Sequence, residues 1–274
     1  MPYFTGLSGD VYYRAWRSPD PVAVVVLLHG FGEHSGMYHR LGNTLNQSRV
    51  DLWALDEIGH GLTYGERGHV DGLVALVEHA DRLLQLASDA TPDVPVYVLG
   101  HSMGSAVAAA LVATRRPGIA GLVLSATPVG PAMVAEAAEV PADLMLSLDA
   151  EGCSTDPFYL DELVNDPLAF LGAPFGASIG AVVPAARHAL DEEPLPAEVP
   201  VLLLHGQQDP VISVNDARAL VAEWPHARLV EFDVRHDVLN DVRHREVAAT
   251  IVEFIRGTAN IAELTKVPTA SAAR

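Results

Sequence analysis

Residues 96–113 read VYVLGHSMGSAVAAALVA: an apolar run, a serine between two glycines, and an alanine-rich run. Val96, Val98 and Leu99 have the character of a buried strand. Val107, Ala110 and Leu111 share one face of a helix. Ser102 therefore falls on a tight strand-to-helix turn, with Gly100 before it and Gly104 after it. GHSMG fits the pattern G-x-S-x-G, which chance supplies in about one chain in ten of this length. The flanking strand and helix add the weight, because a hydroxyl on such a bend stands clear of the sheet and faces the helix N-terminus. Glycine is needed on both sides, since side chains there would collide with the neighbouring strand and helix. The simpler alternative is a serine that only caps a helix.

The same rhythm runs outward in both directions. Short apolar strands alternate with amphipathic helical stretches, which predicts an α/β fold with a mostly parallel central sheet covered by helices on both faces. Residues 4–16 predict an antiparallel hairpin turning near Ser8-Gly9-Asp10. Residues 22–29, 50–56, 94–99, 119–126, 199–205 and 227–232 read as strands. Residues 71–90 place Val74, Val77, Ala80, Leu84 and Ala87 on one helical stripe. Residues 213–224 predict a helix with Ser213 and Asp216 as its capping box. Val247, Ile251, Phe254 and Ile255 mark one face of a final helix. Between residues 127 and 197 the rhythm breaks into prolines, glycines and acidic clusters, far longer than a connection of about five residues. The expected organisation is a core of residues 1–126 and 198–257, a helical cap inserted at 127–197, and a flexible tail at 258–274.

Composition narrows the chemistry. A length of 274 residues suits one large α/β domain. A formal charge of −18 argues against nucleic acid as a partner and against strong adsorption on anionic lipid. The basic residues are almost all arginine, and the only lysine is Lys266. The body of the chain thus offers no Schiff base, phosphate-loop lysine or Ser-Lys dyad. A single cysteine, Cys153, forms no intramolecular disulfide and fits a reducing compartment. The first residues lack a basic stretch followed by an apolar one, so the expected location is the cytoplasm. No apolar run reaches bilayer length. No H-E-x-x-H, Cys/His cluster or early G-x-G-x-x-G occurs, so neither a metal nor a cofactor is expected.

A serine hydroxyl is a poor nucleophile near neutral pH unless a base takes its proton and a third group orients that base. In such sheets the partners come after later strands, at their carboxyl ends. Asp209 in HGQQDPV and His236 in VRHDVLND meet that condition, in the order Ser, Asp, His. Asp237 and Asp241 are rival acids, with Asp237 set on the wrong side of the backbone by its adjacency to His236. His244 is the second candidate for the base. Acyl transfer also requires two backbone donors for an oxyanion. The Met103 amide supplies one and the Phe31 amide, in HGFG at 29–32, the other. Glu33, His29, His34, His60 and His101 read as structural groups around these turns.

Five segments carry a resemblance to a known family: HGFGEHSGMY, DEIGHGLT, GHSMG, HGQQDPVI and HDVLND. The chain resembles the α/β-hydrolase fold and, within it, the monoacylglycerol lipase and lysophospholipase group related to the serine aminopeptidases. The likeness covers roughly residues 10–256, the cap excepted. It implies Ser102 as nucleophile, His236 as base, Asp209 as acid, and the Phe31 and Met103 amides as the oxyanion hole. Ile58 stands where the group has arginine and Thr63 where it has serine. The implied substrate is a small-molecule ester, first a monoacylglycerol or similar lipid-like monoester. Its acyl pocket is expected in the cap from Leu144, Met145, Leu146, Phe158 and Phe170, with at most transient membrane contact there. The alternatives are an acyltransferase, an amide or peptide hydrolase with the same triad, and a non-catalytic ligand-binding relative.

Overall fold

Six apolar residues in a row, AVVVLL, form β3 (Ala23–Leu28), and all six are buried in a computed structural model that describes residues 2–265. A strand buried on both sides needs cover on both faces of its sheet. Val24, Val26 and Leu28 point into one hydrophobic cluster, while Ala23, Val25 and Leu27 point into another. This two-residue alternation divides the core into two layers.

In chain order the elements are β1 (Tyr3–Thr5), β2 (Asp10–Trp16), β3, α1 (His39–Gln47), β4 (Val50–Leu55), α2 (Leu73–Ala90), β5 (Val96–His101), α3 (Met103–Arg115) and β6 (Gly121–Ser125). Then come α4 (Pro131–Glu139), β7 (Met145–Ser147), α5 (Ala150–Cys153), α6 (Pro157–Asn165), β8 (Gly172–Pro174) and α7 (Ile179–Glu192). The chain closes with β9 (Val201–Gly206), α8 (Val214–Glu223), β10 (Ala227–Phe232) and α9 (His244–Thr265). Eight strands form the central sheet in the order β1-β2-β4-β3-β5-β6-β9-β10. β2 runs antiparallel to β1 and β4, and the strands from β4 to β10 pair in parallel. This is the α/β-hydrolase fold. The carboxyl ends of β5, β9 and β10 therefore lie on one edge of the sheet, and Ser102, Asp209 and His236 come directly after those ends.

α1 and α9 cover one face through Leu41, Leu45, Val247, Ile251 and Ile255. α2, α3 and α7 cover the other, and α3, rich in alanine, is buried from Met103 to Ala113. A helix apolar on every side is a buried one.

Three local expectations differ from what is observed. Val74, placed on the buried stripe of α2, is 74 % exposed; it sits in the first turn, beyond the layer that covers Val77, Ala80, Leu84 and Ala87. Ser213 does cap α8, accepting from the Asn215 amide at 3.3 Å. Asp216 forms no box with it; its carboxylate instead accepts from the Ala132 and Met133 amides at 2.9 Å each. An anion at the N-terminus of α4 satisfies donors that helix would otherwise leave orphaned. Finally, α9 continues past Gly257 to Thr265, into the segment expected as tail, while residues 266–274 lie outside the described residues.

The segment 127–197 is not uniform. α7 buries Val182, Ala186 and Leu190 in the same cluster as α2 and α3, so by packing it belongs to the main layer. α4 packs on α7 and α8, and β7 and β8 form a short antiparallel pair. The stretch from α5 into α6 is tied down beside the His236 loop: the Asp237 amide donates to Cys153 O at 2.7 Å, and Thr155 Oγ1 donates to Asp241 at 2.7 Å. Arg40 donates to Asp156 at 2.9 Å and to Asn240 O at 2.6 Å, joining α1, α6 and that loop.

Candidate active site

The bend at Ser102 is strained. Its φ of 47° and ψ of −119° lie where a non-glycine residue is held only by its surroundings. The holding groups are visible: the Ser102 amide donates to Ser125 O at 2.9 Å, and Ser105 Oγ donates to Ser102 O at 2.6 Å. A Cβ on Gly104 would stand 2.2 Å from Leu28 O, and one on Gly100 2.4 Å from Ser105 Cα. Gly104 is there because α3 approaches β3 too closely for any side chain, and Gly100 because the first turn of α3 comes as close to β5.

Ser102 Oγ lies 3.0 Å from His236 Nε2, and His236 Nδ1 lies 2.8 Å from Asp209 Oδ2. Asp209 accepts further bonds from the Val211 and Ile212 amides at 2.8 and 3.0 Å, and His205 Nε2 stands 3.3 Å from it. Burial pushes the Asp209 carboxyl up, but His236, His205 and the Ile212 amide together hold it well below the usual range. It is ionised, so His236 donates from Nδ1 and offers Nε2 to the serine proton. Burial lowers the His236 pKa, and the Asp209 charge, its hydrogen bond and the Glu33 charge raise it to a net value above 6.5. A base acts only when neutral. With His236 as the proposed base, the acid limb of kcat/KM is expected to have its midpoint above pH 6.5, with activity lost as pH falls through it; a pH–rate profile measures this.

The rivals are engaged elsewhere. Asp241 accepts from Thr155, the Arg235 amide and the Val242 amide. His244 opens α9, with Nδ1 3.1 Å from Asp241 O.

The loop carrying Phe31 comes against the bend: a Cβ on Gly30 would be 3.4 Å from Ser102 Cβ. Glu33 holds this loop by accepting from the Gly30 amide at 2.7 Å and the Tyr38 hydroxyl at 2.6 Å. Among the described residues neither the Phe31 nor the Met103 amide has a protein acceptor, which leaves both free to donate to a substrate. His29 accepts from the Glu57 amide at 2.9 Å, and His34 accepts from the Gly36 amide while reaching Asp166 of the cap at 3.1 Å. His60 sits 2.9 Å from Ile58 O. Thr63 does with its hydroxyl what a serine would, accepting from Tyr12 N and donating to Asp56 O. Ile58 is buried in the core cluster, packed as an apolar residue.

Glu33, His101 and Asp237 bring ligand-type atoms within 4.8 Å of one another. The Tyr159 hydroxyl already bonds both carboxyl groups and fills the place a cation would take.

The cavity at Ser102 is about 20 Å³, lined by Phe31, Leu148, Tyr159, Leu163 and Leu171 among others. That is room for about one water, and Ser102 is only 9 % exposed. A larger depression of about 690 Å³, around Asp93 and Gly118, lies at the opposite, amino ends of the strands and far from this chemistry. The cap residues expected to line an acyl pocket divide. Phe170 packs edge-on against Phe31 at 5.2 Å, and its amide donates to Gly32 O at 2.9 Å. Leu146 is half-buried against the core. Leu144, Met145 and Phe158 are 51–62 % exposed and do not border the cavity at Ser102; Phe158 instead packs edge-on against His39 beneath the Arg40 guanidinium. Tyr159 and Leu163 are not among the residues expected from sequence, although their four-residue spacing after the Asp156-Pro157 helix start puts them on one face of α6.

Sheet topology and the strained serine bend together define an α/β-hydrolase of the serine-nucleophile kind. Residues 19–243 match the family described as serine aminopeptidase S33, and the chain belongs to that family, an enzyme of the serine hydrolase class. It is 31 % identical over 269 residues to the monoacylglycerol lipase of Mycolicibacterium smegmatis, covering 92 % of this chain and 95 % of that protein. It is 31 % identical over 242 residues to the human monoglyceride lipase, covering 81 % and 77 %. The crystal structure of Paleococcus ferrophilus monoacylglycerol lipase superposes with a TM-score of 0.75 at 27 % identity, covering 90 % of this chain and 99 % of that one. Among the described residues no helix is long and apolar enough to cross a membrane.

Proposed function

We propose that the protein hydrolyses carboxylic monoesters, monoacylglycerols first, through an acyl-enzyme on Ser102. The observation that carries this is the unbroken line from Ser102 Oγ through His236 to Asp209, at 3.0 and 2.8 Å. In this reading His236 takes the serine proton as Oγ attacks the ester carbonyl. The Phe31 and Met103 amides hold the oxyanion, and His236 then protonates the departing alcohol. Water, activated by the same imidazole, frees the acid. Asp209 keeps the imidazole in its working tautomer and stabilises the imidazolium.

Monoacylglycerols are supported by the names of the relatives above, and an apolar acyl chain by the lining of Phe31, Leu148, Leu163 and Leu171. The residual cavity is far below the ~300–1,000 Å³ of ordinary ligand sites, so the cap must shift to admit an acyl chain. Exposed Leu144 and Met145 give that cap an apolar edge for transient contact with a lipid aggregate.

An ester panel from short to long acyl chains, monoacylglycerols included, tests the proposal with Ser102→Ala as control. The expected result is a kcat/KM that rises with chain length and exceeds that for acetate esters by about tenfold or more, about 1.4 kcal/mol of added apolar contact. Preference for the shortest esters would remove the monoacylglycerol assignment. Transfer to added alcohol outrunning hydrolysis would make the protein an acyltransferase.

A further inference from the structure

A second set of ionisable groups lies beside Ser102 and takes no part in the steps above. Glu33 ends the loop that carries Phe31, Asp237 comes next after His236 in the chain, and both are almost wholly buried. Tyr159, reaching in from α6 of the cap, hydrogen-bonds Glu33 Oε1 and Asp237 Oδ2 through one hydroxyl. A phenol has a single proton and can donate to only one of them. The other carboxyl must therefore bring a proton of its own.

The remaining contacts decide which. Glu33 also accepts from the Gly30 amide and the Tyr38 hydroxyl, a donor set that suits an anion. Asp237 Oδ1 has no hydrogen-bond partner among the described residues, and His101 Nε2 stands 3.7 Å from Oδ2, beyond bonding reach. The proton thus belongs to Asp237, which donates to the Tyr159 oxygen while Tyr159 donates to Glu33. The titration directions agree. Burial and the Glu33 charge hold Asp237 well above the usual range; Glu33, despite its burial, is drawn down to about 2 by His101, Asp237 and the two tyrosines. Two carboxylates this close in a dry interior cannot both ionise.

We propose that Glu33 and Asp237 work as one unit of a single negative charge, a second buried anion besides Asp209 that favours the His236 imidazolium, with Tyr159 of the cap seating the shared proton. The proposal rests on His236 being the base. Glu33 and Asp237 act through that imidazole and are positioning residues. Facing the pair are His101 from the bend, Tyr38 ahead of α1, Tyr159 and Cys153 from the cap, and His236, Asp209 and Asp241. His101 is held down to about 4, chiefly by burial, and the Cys153 thiol is pushed up to about 12 by burial and the surrounding carboxylates, so both are neutral at working pH.

A shared charge makes an unusual demand on mutants. In Asp237→Asn the amide takes over the donation to Tyr159, and Glu33 keeps the charge. In Glu33→Gln the charge moves to Asp237, which gives up its proton. Only the double variant Glu33→Gln/Asp237→Asn loses it. The experiment is the pH dependence of fluorophosphonate labelling at Ser102 in the purified full chain, whose midpoint does not depend on how much protein is active. Each single variant is expected to keep the wild-type midpoint within a few tenths of a unit, and the double variant to fall by about one unit. An unshifted double variant, or a single variant shifted as far as the double, overturns the proposal. Infrared difference spectra supply a second readout on the single variants alone. Both should lose one protonated-carboxyl band near neutral pH, including Glu33→Gln, from which no protonated group was removed; a full band there overturns the proposal too. Absence of labelling in the wild type, or labelling that survives Ser102→Ala, would instead sink the underlying site assignment.

Discussion

Ser102→Ala is expected to lower ester hydrolysis by about 10⁴–10⁶-fold, about 5–8 kcal/mol of transition-state stabilisation, and to abolish fluorophosphonate labelling. In the proposed mechanism the loss is large because the hydroxyl would form the acyl bond itself, and neither His236 nor Asp209 could take its place in the chain of contacts. What would persist is the background from the Phe31 and Met103 amides acting on attacking water. Folding should be nearly untouched. The Ser102 amide and carbonyl keep their bonds to Ser125 and Ser105, and only the bond between the serine hydroxyl and His236 disappears. Steady-state kinetics beside a thermal melt checks both halves. A variant retaining a tenth of the wild-type rate would move the nucleophile elsewhere.

Gly104→Ala is expected to be among the most damaging small substitutions for stability, by about 3–5 kcal/mol, against a typical total of about 5–15 kcal/mol. The new Cβ would meet Leu28 O at 2.2 Å and His29 O at 2.4 Å, backbone atoms of the central strand that cannot swing aside. Helix propensity points the other way, since alanine in the first turn of α3 gains up to about 1 kcal/mol over glycine. Sterics wins because the clash is with the sheet itself. Gly118→Ala is the matched control, with nothing within 4 Å of its new Cβ, and should move the urea midpoint little. Equal midpoints for the two variants would mean that α3 can retreat from β3, and the argument for a compressed bend would fail.

Much of this site could be read in one dimension because its parts are local. Gly100, Ser102 and Gly104 report a steric problem solved within a few residues, and Asp209 and His236 each come directly after a recognisable apolar strand. A parallel sheet then makes the rest automatic: strands that point the same way deliver the residues beyond their carboxyl ends to the same edge. Asp216 shows where local reasoning stops. Three residues from Ser213, it fits a capping box, yet its carboxylate serves α4, more than eighty residues earlier in the chain. Propensity within a turn cannot see a helix end brought alongside by the fold.

The cap marks the same boundary. Leu144, Met145 and Phe158 are apolar and sit in the right segment, but hydrophobicity does not say which way a short strand or a half-exposed helix will turn. Tyr159, the residue after Phe158, and Leu163, one turn further along the same face of α6, line the cavity at Ser102 instead.

The linear chain by itself determined the alternation of strands and helices, the strained serine bend and the order of the three side chains proposed to react, since each depends on residue type and short-range sterics. The tertiary structure alone decided which cap side chains look inward and that Glu33, Asp237 and Tyr159 meet over one proton. Those outcomes depend on which surfaces are left to share a dry interior once distant segments have packed, and no spacing along the chain encodes that.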